Sequence, residues 1–143
     1  MKTFNTAKKN NITVLHNNKK GNNYIVASIL SEHLQCNMIA SEDNPKIHQY
    51  DTIIFVVSNY GDEELCQPME DYIYNIKIKN KKFLICELGN YFGFENYIGC
   101  KKIVIKLLEN LNWQKISDIS IDSLPKIDLE SLNNWILEIK YKL

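Results

Sequence analysis

Short apolar runs rich in β-branched residues alternate along this chain with longer stretches in which apolar residues recur every three or four positions. A continuously apolar run is typical of a parallel strand covered on both faces, and the three-to-four spacing is typical of an amphipathic helix. The clearest strand pattern is the run Thr-Ile-Ile-Phe-Val-Val at residues 52–57. Strands are predicted at residues 12–15, 36–40, 52–57, 83–86 and 113–121, and helices at 25–34, 65–78, 103–111 and 129–143.

The order of these elements predicts the fold class. Strands and helices alternate, apart from one step from strand to strand through the loop at 41–50, and this order predicts an α/β fold with helices on both faces of a parallel sheet. Asp62 is placed to cap the second helix and Asp128 the last. A chain of 143 residues is of single-domain size, so we expect one domain at 11–143 after a flexible extension at 1–10.

Three polar or aromatic loops that contain glycine follow predicted strands, at residues 17–23, 58–64 and 89–97. Because ligands of such folds bind outside the carboxyl ends of the strands, we expect the three loops to form one site. The first loop leads into a helix N-terminus, where backbone N–H groups and the helix dipole favour an anion such as phosphate. The alternative is an ordinary turn, in which Asn and Gly serve only the backbone conformation. His16, at the end of the first strand, either faces the phosphate or has a structural role.

Charge and composition narrow the range of partners. Lys+Arg and Asp+Glu both number 17, so nothing indicates binding to nucleic acid or to a membrane surface. All the basic residues are lysine, so an anion would be held by backbone amides, side-chain amides or lysine rather than by a guanidinium group. The four cysteines lack metal-ligand or redox spacing, and the sequence shows neither a signal peptide nor an apolar run of membrane-spanning length. We therefore expect a cytoplasmic protein.

The three loops resemble the flavin-binding loops of the flavodoxin family. Asn-Lys-Lys-Gly-Asn-Asn at 18–23 occupies the position of the family's phosphate loop, which usually reads Ser/Thr-x-Thr-Gly-x-Thr. Ser-Asn-Tyr-Gly-Asp-Glu-Glu-Leu at 58–65 is similar to the second loop, and Leu-Gly-Asn-Tyr-Phe-Gly-Phe-Glu-Asn-Tyr at 88–97 is similar to the third. The resemblance implies a short-chain member with a doubly wound five-stranded sheet in the order 2-1-3-4-5 and a noncovalently bound FMN.

Residue by residue, the resemblance implies a cofactor site spread over all three loops. The first loop would wrap the phosphate, with asparagine or lysine in place of the family's hydroxyl residues at positions 18, 20 and 23. The second loop would lie along the isoalloxazine ring, and the third would approach its pyrimidine end and stack one aromatic, Phe94 by spacing, on the outer face. The implied residues are Asn17, Asn18, Lys19, Lys20, Gly21, Asn22, Asn23, Ser58, Asn59, Tyr60, Gly61, Gly89, Asn90, Tyr91, Phe92 and Phe94.

The resemblance implies electron transfer as the function. The protein would be more an electron carrier than a catalyst in its own right, shuttling electrons between a reductase and an acceptor enzyme as a monomer or weak dimer. Two alternatives stay open. The balanced charge suits a flavodoxin-like activator of manganese ribonucleotide reductase, and the altered phosphate loop suits a binding module with the same fold but no flavin.

Overall fold

The computed structural model describes residues 11–17, 21–59, 67–89 and 99–143, so the predicted extension at 1–10 lies outside the described residues. The described residues form a five-stranded sheet, four α-helices and one short 3-10 helix at Ser41–Asp43. The strands are β1 (Ile12–His16), β2 (Asn37–Ala40), β3 (Thr52–Ser58), β4 (Lys82–Gly89) and β5 (Gln114–Asp122). The helices are α1 (Gly21–Leu34), α2 (Gln67–Tyr74), α3 (Lys101–Asn110) and α4 (Leu129–Lys140).

The sheet is parallel throughout and has the order β2-β1-β3-β4-β5. Ile12 of β1 lies opposite Thr52 of β3, and Thr52 lies opposite Lys82 of β4. This order confirms the predicted doubly wound arrangement. The chain passes from β1 to β2 on one side and then to β3 on the other, so the point where the winding reverses lies between β1 and β3.

Each face of the sheet packs against its own hydrophobic core. Helices α1 and α4 cover one face, where Val56 of β3 belongs to the same buried cluster as Trp135. Helices α2 and α3 cover the other face, where the rings of Phe55 and Phe83 lie 6.1 and 6.3 Å from the ring of Trp113, measured between centroids. Burial of a large apolar side chain contributes about 1.5–3 kcal/mol to folding. The two covered faces explain why the central strands are continuously apolar.

The first helix begins earlier than the sequence pattern predicts. The pattern places residues 17–23 in a loop, but α1 begins at Gly21, so the prediction is wrong for Gly21, Asn22 and Asn23. Gly21 has a φ of 82°, which glycine adopts readily, and a side chain there would meet nothing within 4 Å. The asparagine side chains that suggested a loop make long-range hydrogen bonds instead, and Asn22 Nδ2 donates to the Ser123 carbonyl at 2.9 Å.

The second helix ends before the predicted boundary at residue 78. Helix α2 ends at Tyr74, and the N–H groups of Asn75 and Ile76 each bond to a carbonyl three residues back at 3.1 Å. These tight turns satisfy carbonyls that have no partner at a helix end, while Ile76 still packs into the core. The predicted cap Asp62 lies outside the described residues. The other predicted cap is confirmed, because Asp128 Oδ1 accepts a hydrogen bond from the N–H of Ser131 at 3.1 Å.

A register shift explains why the last strand alternates imperfectly. Phe83 lies opposite Lys115, whereas Leu84 lies opposite Ser117, so Ile116 is an extra residue on β5. Such a bulge changes the phase of the inward-facing positions. Ile116 and the later isoleucines at 119 and 121 therefore all pack on the face covered by α1 and α4, although their spacing in the sequence is uneven.

Candidate functional site

The carboxyl ends of β1, β3 and β4 bring the starts of the three predicted loops to one edge of the sheet. The strands end at His16, Ser58 and Gly89. Beyond the end of β3, the N–H of Asn59 donates to the Leu88 carbonyl at 2.8 Å, which keeps the starts of the second and third loops side by side. The starts of the three loops therefore lie at one edge, and the formation of one site by the whole loops stays a prediction. The loop interiors at 18–20, 60–66 and 90–98 lie outside the described residues.

The N-terminus of α1 provides an anion-binding geometry at this edge. A helix leaves its first N–H groups without intrahelical acceptors, and its dipole places partial positive charge there. The first turn of α1, from Gly21, carries no acidic residue that would compete for these groups. Backbone donors of the first turn, including those of Asn22 and Asn23, can therefore hold a negatively charged group.

Asn17 lies directly beside this helix end and is only 3 % exposed. Its N–H donates to Asn23 Oδ1 at 2.6 Å, and its carbonyl accepts a hydrogen bond from Ser41 Oγ at 2.9 Å. The side-chain oxygen of Asn17 has no hydrogen-bond partner among the described residues. Buried polar groups are nearly always paired, so this amide is suited to a polar ligand at the edge of the sheet.

The other two asparagines of the first loop already have partners within the protein. Asn22 Nδ2 reaches the carbonyl of Ser123, just past β5. Asn23 is 2 % exposed, and its Nδ2 donates at 2.9 Å both to the Val56 carbonyl and to Ser58 Oγ. The side-chain donors that sequence reasoning assigned to a phosphate are thus partly used to hold the edge of the sheet together.

His16 is buried and packs against an aromatic side chain of α1. Its ring lies 5.5 Å from the ring of Tyr24 between centroids, in an edge-to-face arrangement with an interplanar angle of 75°. Such pairs contribute about 0.5–1.5 kcal/mol beyond the area that they bury. Of the two predicted roles for His16, this contact supports the structural one.

The ring side of the predicted site is described only at its anchoring residues. Ser58, Asn59 and Gly89 are all buried at the carboxyl edge. The remaining predicted residues of the second and third loops lie outside the described residues: Tyr60, Gly61, Asn90, Tyr91, Phe92 and Phe94. The same holds for the phosphate-loop residues Asn18, Lys19 and Lys20.

Sequence reasoning missed one buried carboxylate at this edge, that of Glu87 on β4. Glu87 is 1 % exposed and accepts hydrogen bonds from the N–H of Lys101 at 3.0 Å and from Ser120 Oγ at 2.9 Å. The thiol of Cys100 lies 3.2 Å from the same carboxylate. The third loop lies between β4 and α3 in the sequence. The hydrogen bonds of Glu87 hold the start of α3 against β4. An acidic residue within an otherwise apolar strand was the signal that could have revealed it.

A surface ion-pair cluster flanks the start of α3. Lys101 Nζ lies 2.8 Å and Lys115 Nζ 2.6 Å from the carboxylate oxygens of Asp118. Burial alone would raise the pKa of Asp118, but the hydrogen bonds from both ammonium groups outweigh burial and hold the pKa below its usual value. The carboxylate of Asp118 is therefore ionised at neutral pH and helps to hold Lys101 in place.

The described residues contain neither a metal-binding cluster nor a membrane-spanning helix. No group of three or more histidine, cysteine, aspartate or glutamate side chains is arranged to hold a metal ion in that part of the chain. No helix that the structure describes is both long enough and apolar enough to cross a membrane.

Several solved structures share this arrangement of strands and helices. No protein-family model and no curated protein sequence matches the chain. Among solved structures, oxidised flavodoxin 2 from Bacillus cereus has a TM-score of 0.74 and 21% identity, covering 96% of this chain and 100% of that chain. Flavodoxin 1 from the same organism has a TM-score of 0.74 and 19% identity, with coverages of 92% and 98%. The protein has the flavodoxin fold.

A further flavodoxin-fold structure contains the cofactor that the sequence resemblance implies. The flavodoxin of Fusobacterium nucleatum, bound to flavin mononucleotide, matches with a TM-score of 0.72 at 14% identity. The match covers 92% of this chain and 98% of that chain. At such identities the likeness establishes the flavodoxin fold, including the expected sheet order.

Proposed function

We propose that this protein binds FMN noncovalently at the carboxyl edge of its sheet and carries electrons between a reductase and an acceptor enzyme. The main observation behind the proposal is that the ends of β1, β3 and β4 meet the N-terminus of α1 at that edge. The shared fold with an FMN-bound flavodoxin supports it. The proposed unit is a single domain at 11–143, acting in the cytoplasm as a monomer or weak dimer.

Backbone and side-chain donors would share the phosphate. The N–H groups of Gly21, Asn22 and Asn23 lie in the first turn of α1, whose dipole favours a dianion. The unpaired oxygen of the buried Asn17 side chain is a hydrogen-bond acceptor, so it fits a hydroxyl group of the cofactor rather than the phosphate. We also assign Asn18, Lys19 and Lys20 to the phosphate. Because the chain has no arginine, lysine would supply the permanent positive charge.

The second and third loops would hold the isoalloxazine ring. Ser58 and Asn59 anchor the second loop, in which Tyr60 and Gly61 are the proposed ring contacts, and Gly89 anchors the third. We assign Asn90 to the pyrimidine end of the ring. One aromatic of Tyr91, Phe92 and Phe94, by spacing Phe94, would stack on the outer face of the ring. When bound, FMN supplies the redox chemistry. The residues of the chain bind it, orient it and keep water from its faces.

Visible absorption and a stepwise reduction test this proposal. After FMN is added and excess is removed by gel filtration, we expect flavin bands that stay with the protein. Reduction in two separate one-electron steps would support a carrier. No flavin bands, even at saturating FMN, would refute the proposal. That result would favour a flavin-free binding module, which the internal hydrogen bonds of Asn22 and Asn23 also suit.

An activator of manganese ribonucleotide reductase is the second candidate. The balanced charge of the chain is the observation that favours it, because a carrier that docks through a broad acidic face is expected to have a net negative charge. Reduction in a single two-electron step would support this candidate over the carrier. The deciding assay is whether the reduced protein, given oxygen, activates a manganese ribonucleotide reductase.

A further inference from the structure

One side chain closes the gap where β1 and β3 separate. The main-chain pairing of β1 with β3 begins at Ile12, opposite Thr52, and ends at Leu15, opposite Phe55. Just beyond it, the amide of Asn23 lies between the two strands. Its oxygen accepts a hydrogen bond from the N–H of Asn17, the residue after β1, at 2.6 Å. Its nitrogen donates to the carbonyl of Val56 on β3 at 2.9 Å. The side-chain amide therefore makes the bonds that a peptide group would make in a continuous ladder.

The hydrogen-bonding capacity of the Asn23 amide nitrogen is fully used. A primary amide has two N–H hydrogens. One is directed to the Val56 carbonyl and the other to Ser58 Oγ, each at 2.9 Å. The side chain is almost completely buried. It could therefore donate to a phosphate only by giving up one of these bonds, which would leave a buried polar group unpaired.

We infer that the side chain of Asn23 is a positioning element and not a phosphate ligand: it fixes the origin of the phosphate loop, at Asn17, relative to the origin of the second loop, at Ser58. The winding of the sheet reverses between β1 and β3, so this is the point where two loops of the site would otherwise separate. For its effect on ligands the inference rests on the proposed FMN site. Its consequence is that the phosphate half and the ring half of the site depend on the same side chain.

Comparing FMN with riboflavin, which lacks the phosphate, distinguishes the two roles. If Asn23 positions both loops, Asn23→Ala should lower the affinity for FMN and the affinity for riboflavin by a similar factor, about tenfold or more. If its side chain were a phosphate ligand, the FMN affinity would fall and the riboflavin affinity would stay the same, which would overturn the inference. The matched control is Asn75→Ala, because the Asn75 side chain is exposed and its Nδ2 donates to the Asp71 carbonyl within α2, outside the proposed site. This control should leave the affinities for both flavins unchanged.

Amide hydrogen exchange without flavin tests the same inference independently of the proposed function. In Asn23→Ala, the N–H groups of Asn17 and Asn59 should both exchange about tenfold faster, because both loop origins lose their common support. Asn23→Asp keeps the side-chain oxygen that accepts from the N–H of Asn17 but lacks the two N–H donors to β3. In this variant mainly the N–H of Asn59 should exchange faster. If Asn59 exchanges at the wild-type rate in both variants, the inference is wrong. If the alanine variant does not fold, the aspartate variant decides.

The two experiments separate failure of the inference from failure of the proposed function. If the wild-type protein binds neither flavin, the FMN proposal is wrong, and the exchange rates of Asn17 and Asn59 still decide the role of Asn23. If flavins bind but only FMN affinity responds to Asn23→Ala, the proposed function stands and the inference falls.

Discussion

Replacing Gly99 by alanine should destabilise the connection between β4 and α3 through Glu87. A Cβ atom on Gly99 would lie 2.1 Å from Glu87 Oε2 and 2.6 Å from both Cδ and Oε1. These separations are too short for van der Waals contact, so the Glu87 side chain would have to move. It is held by hydrogen bonds from the N–H of Lys101 and from Ser120 Oγ, and it is fully enclosed.

The size of the effect follows from the bonds that Glu87 would lose. A hydrogen bond to a charged group contributes about 1.5–3 kcal/mol to stability, and the displacement weakens two of them. We expect Gly99→Ala to lower the free energy of unfolding by about 2–4 kcal/mol, a large share of the roughly 5–15 kcal/mol typical of a domain. All three atoms nearest to the new methyl group belong to Glu87. In a Glu87→Ala background, Gly99→Ala should therefore cost less than about 0.5 kcal/mol.

Urea unfolding of the wild type, both single variants and the double variant measures this coupling. Trp113 and Trp135 are 3 % and 4 % exposed, so their fluorescence should change when unfolding brings them into water. We expect a coupling free energy of about 2 kcal/mol between the two substitutions. An equal cost of Gly99→Ala in both backgrounds, or no cost in the wild-type background, would refute the steric reasoning.

Two pH-dependent predictions follow from other contacts. Burial would raise the pKa of Asp118, but hydrogen bonds from Lys101 and Lys115 hold it below its usual value. The ionised carboxylate therefore stabilises the fold at pH values above its unfolded pKa of about 3.9. This contribution is lost as the pH falls through the pKa of the folded state. Urea unfolding should show that Asp118→Asn lowers the free energy of unfolding by less than about 1 kcal/mol at pH 7 and leaves it unchanged at strongly acidic pH. A loss of stability that persists in acid would contradict this prediction. The hydroxyl of Tyr72 donates to the Pro45 carbonyl at 2.6 Å, and burial raises the pKa of Tyr72 from 10.0 to about 12. Tyr72→Phe should lower the free energy of unfolding by about 1 kcal/mol at pH 7. It should also reduce the loss of stability that the wild type shows between pH 10 and about 12. If the variant loses as much stability over that range as the wild type, the prediction is wrong.

The parallel sheet and the edge at which β1, β3 and β4 end could be predicted because they depend on local patterns. The run at 52–57 is apolar throughout because helices cover both faces of β3. Asp128 caps α4 through a contact only three residues away. The alternation of strands and helices predicted a parallel sheet, and the resemblance of the three loops to those of flavodoxins implied the strand order. Each of these signals lies within a short stretch of sequence.

The roles of Asn23 and Glu87 could not be predicted because they depend on contacts between distant parts of the chain. Asn23 bonds to Val56 and Ser58, and Glu87 bonds to residues on α3 and β5. The sequence pattern showed an asparagine in a polar stretch and a glutamate in an apolar one, but not their partners. The early start of α1 has the same origin, because long-range bonds of its asparagines support a helical turn where the local pattern predicts a loop.

The central claim is that FMN binds across the carboxyl ends of β1, β3 and β4. An NMR titration of isotope-labelled protein with FMN tests it most directly, because each backbone amide reports on its own surroundings. We expect the largest shifts at Gly21, Asn59 and Gly89, and none at the opposite edge of the sheet, where Thr52 pairs with Lys82. Shifts centred on that opposite edge, or no shifts at saturating FMN, would contradict the claim.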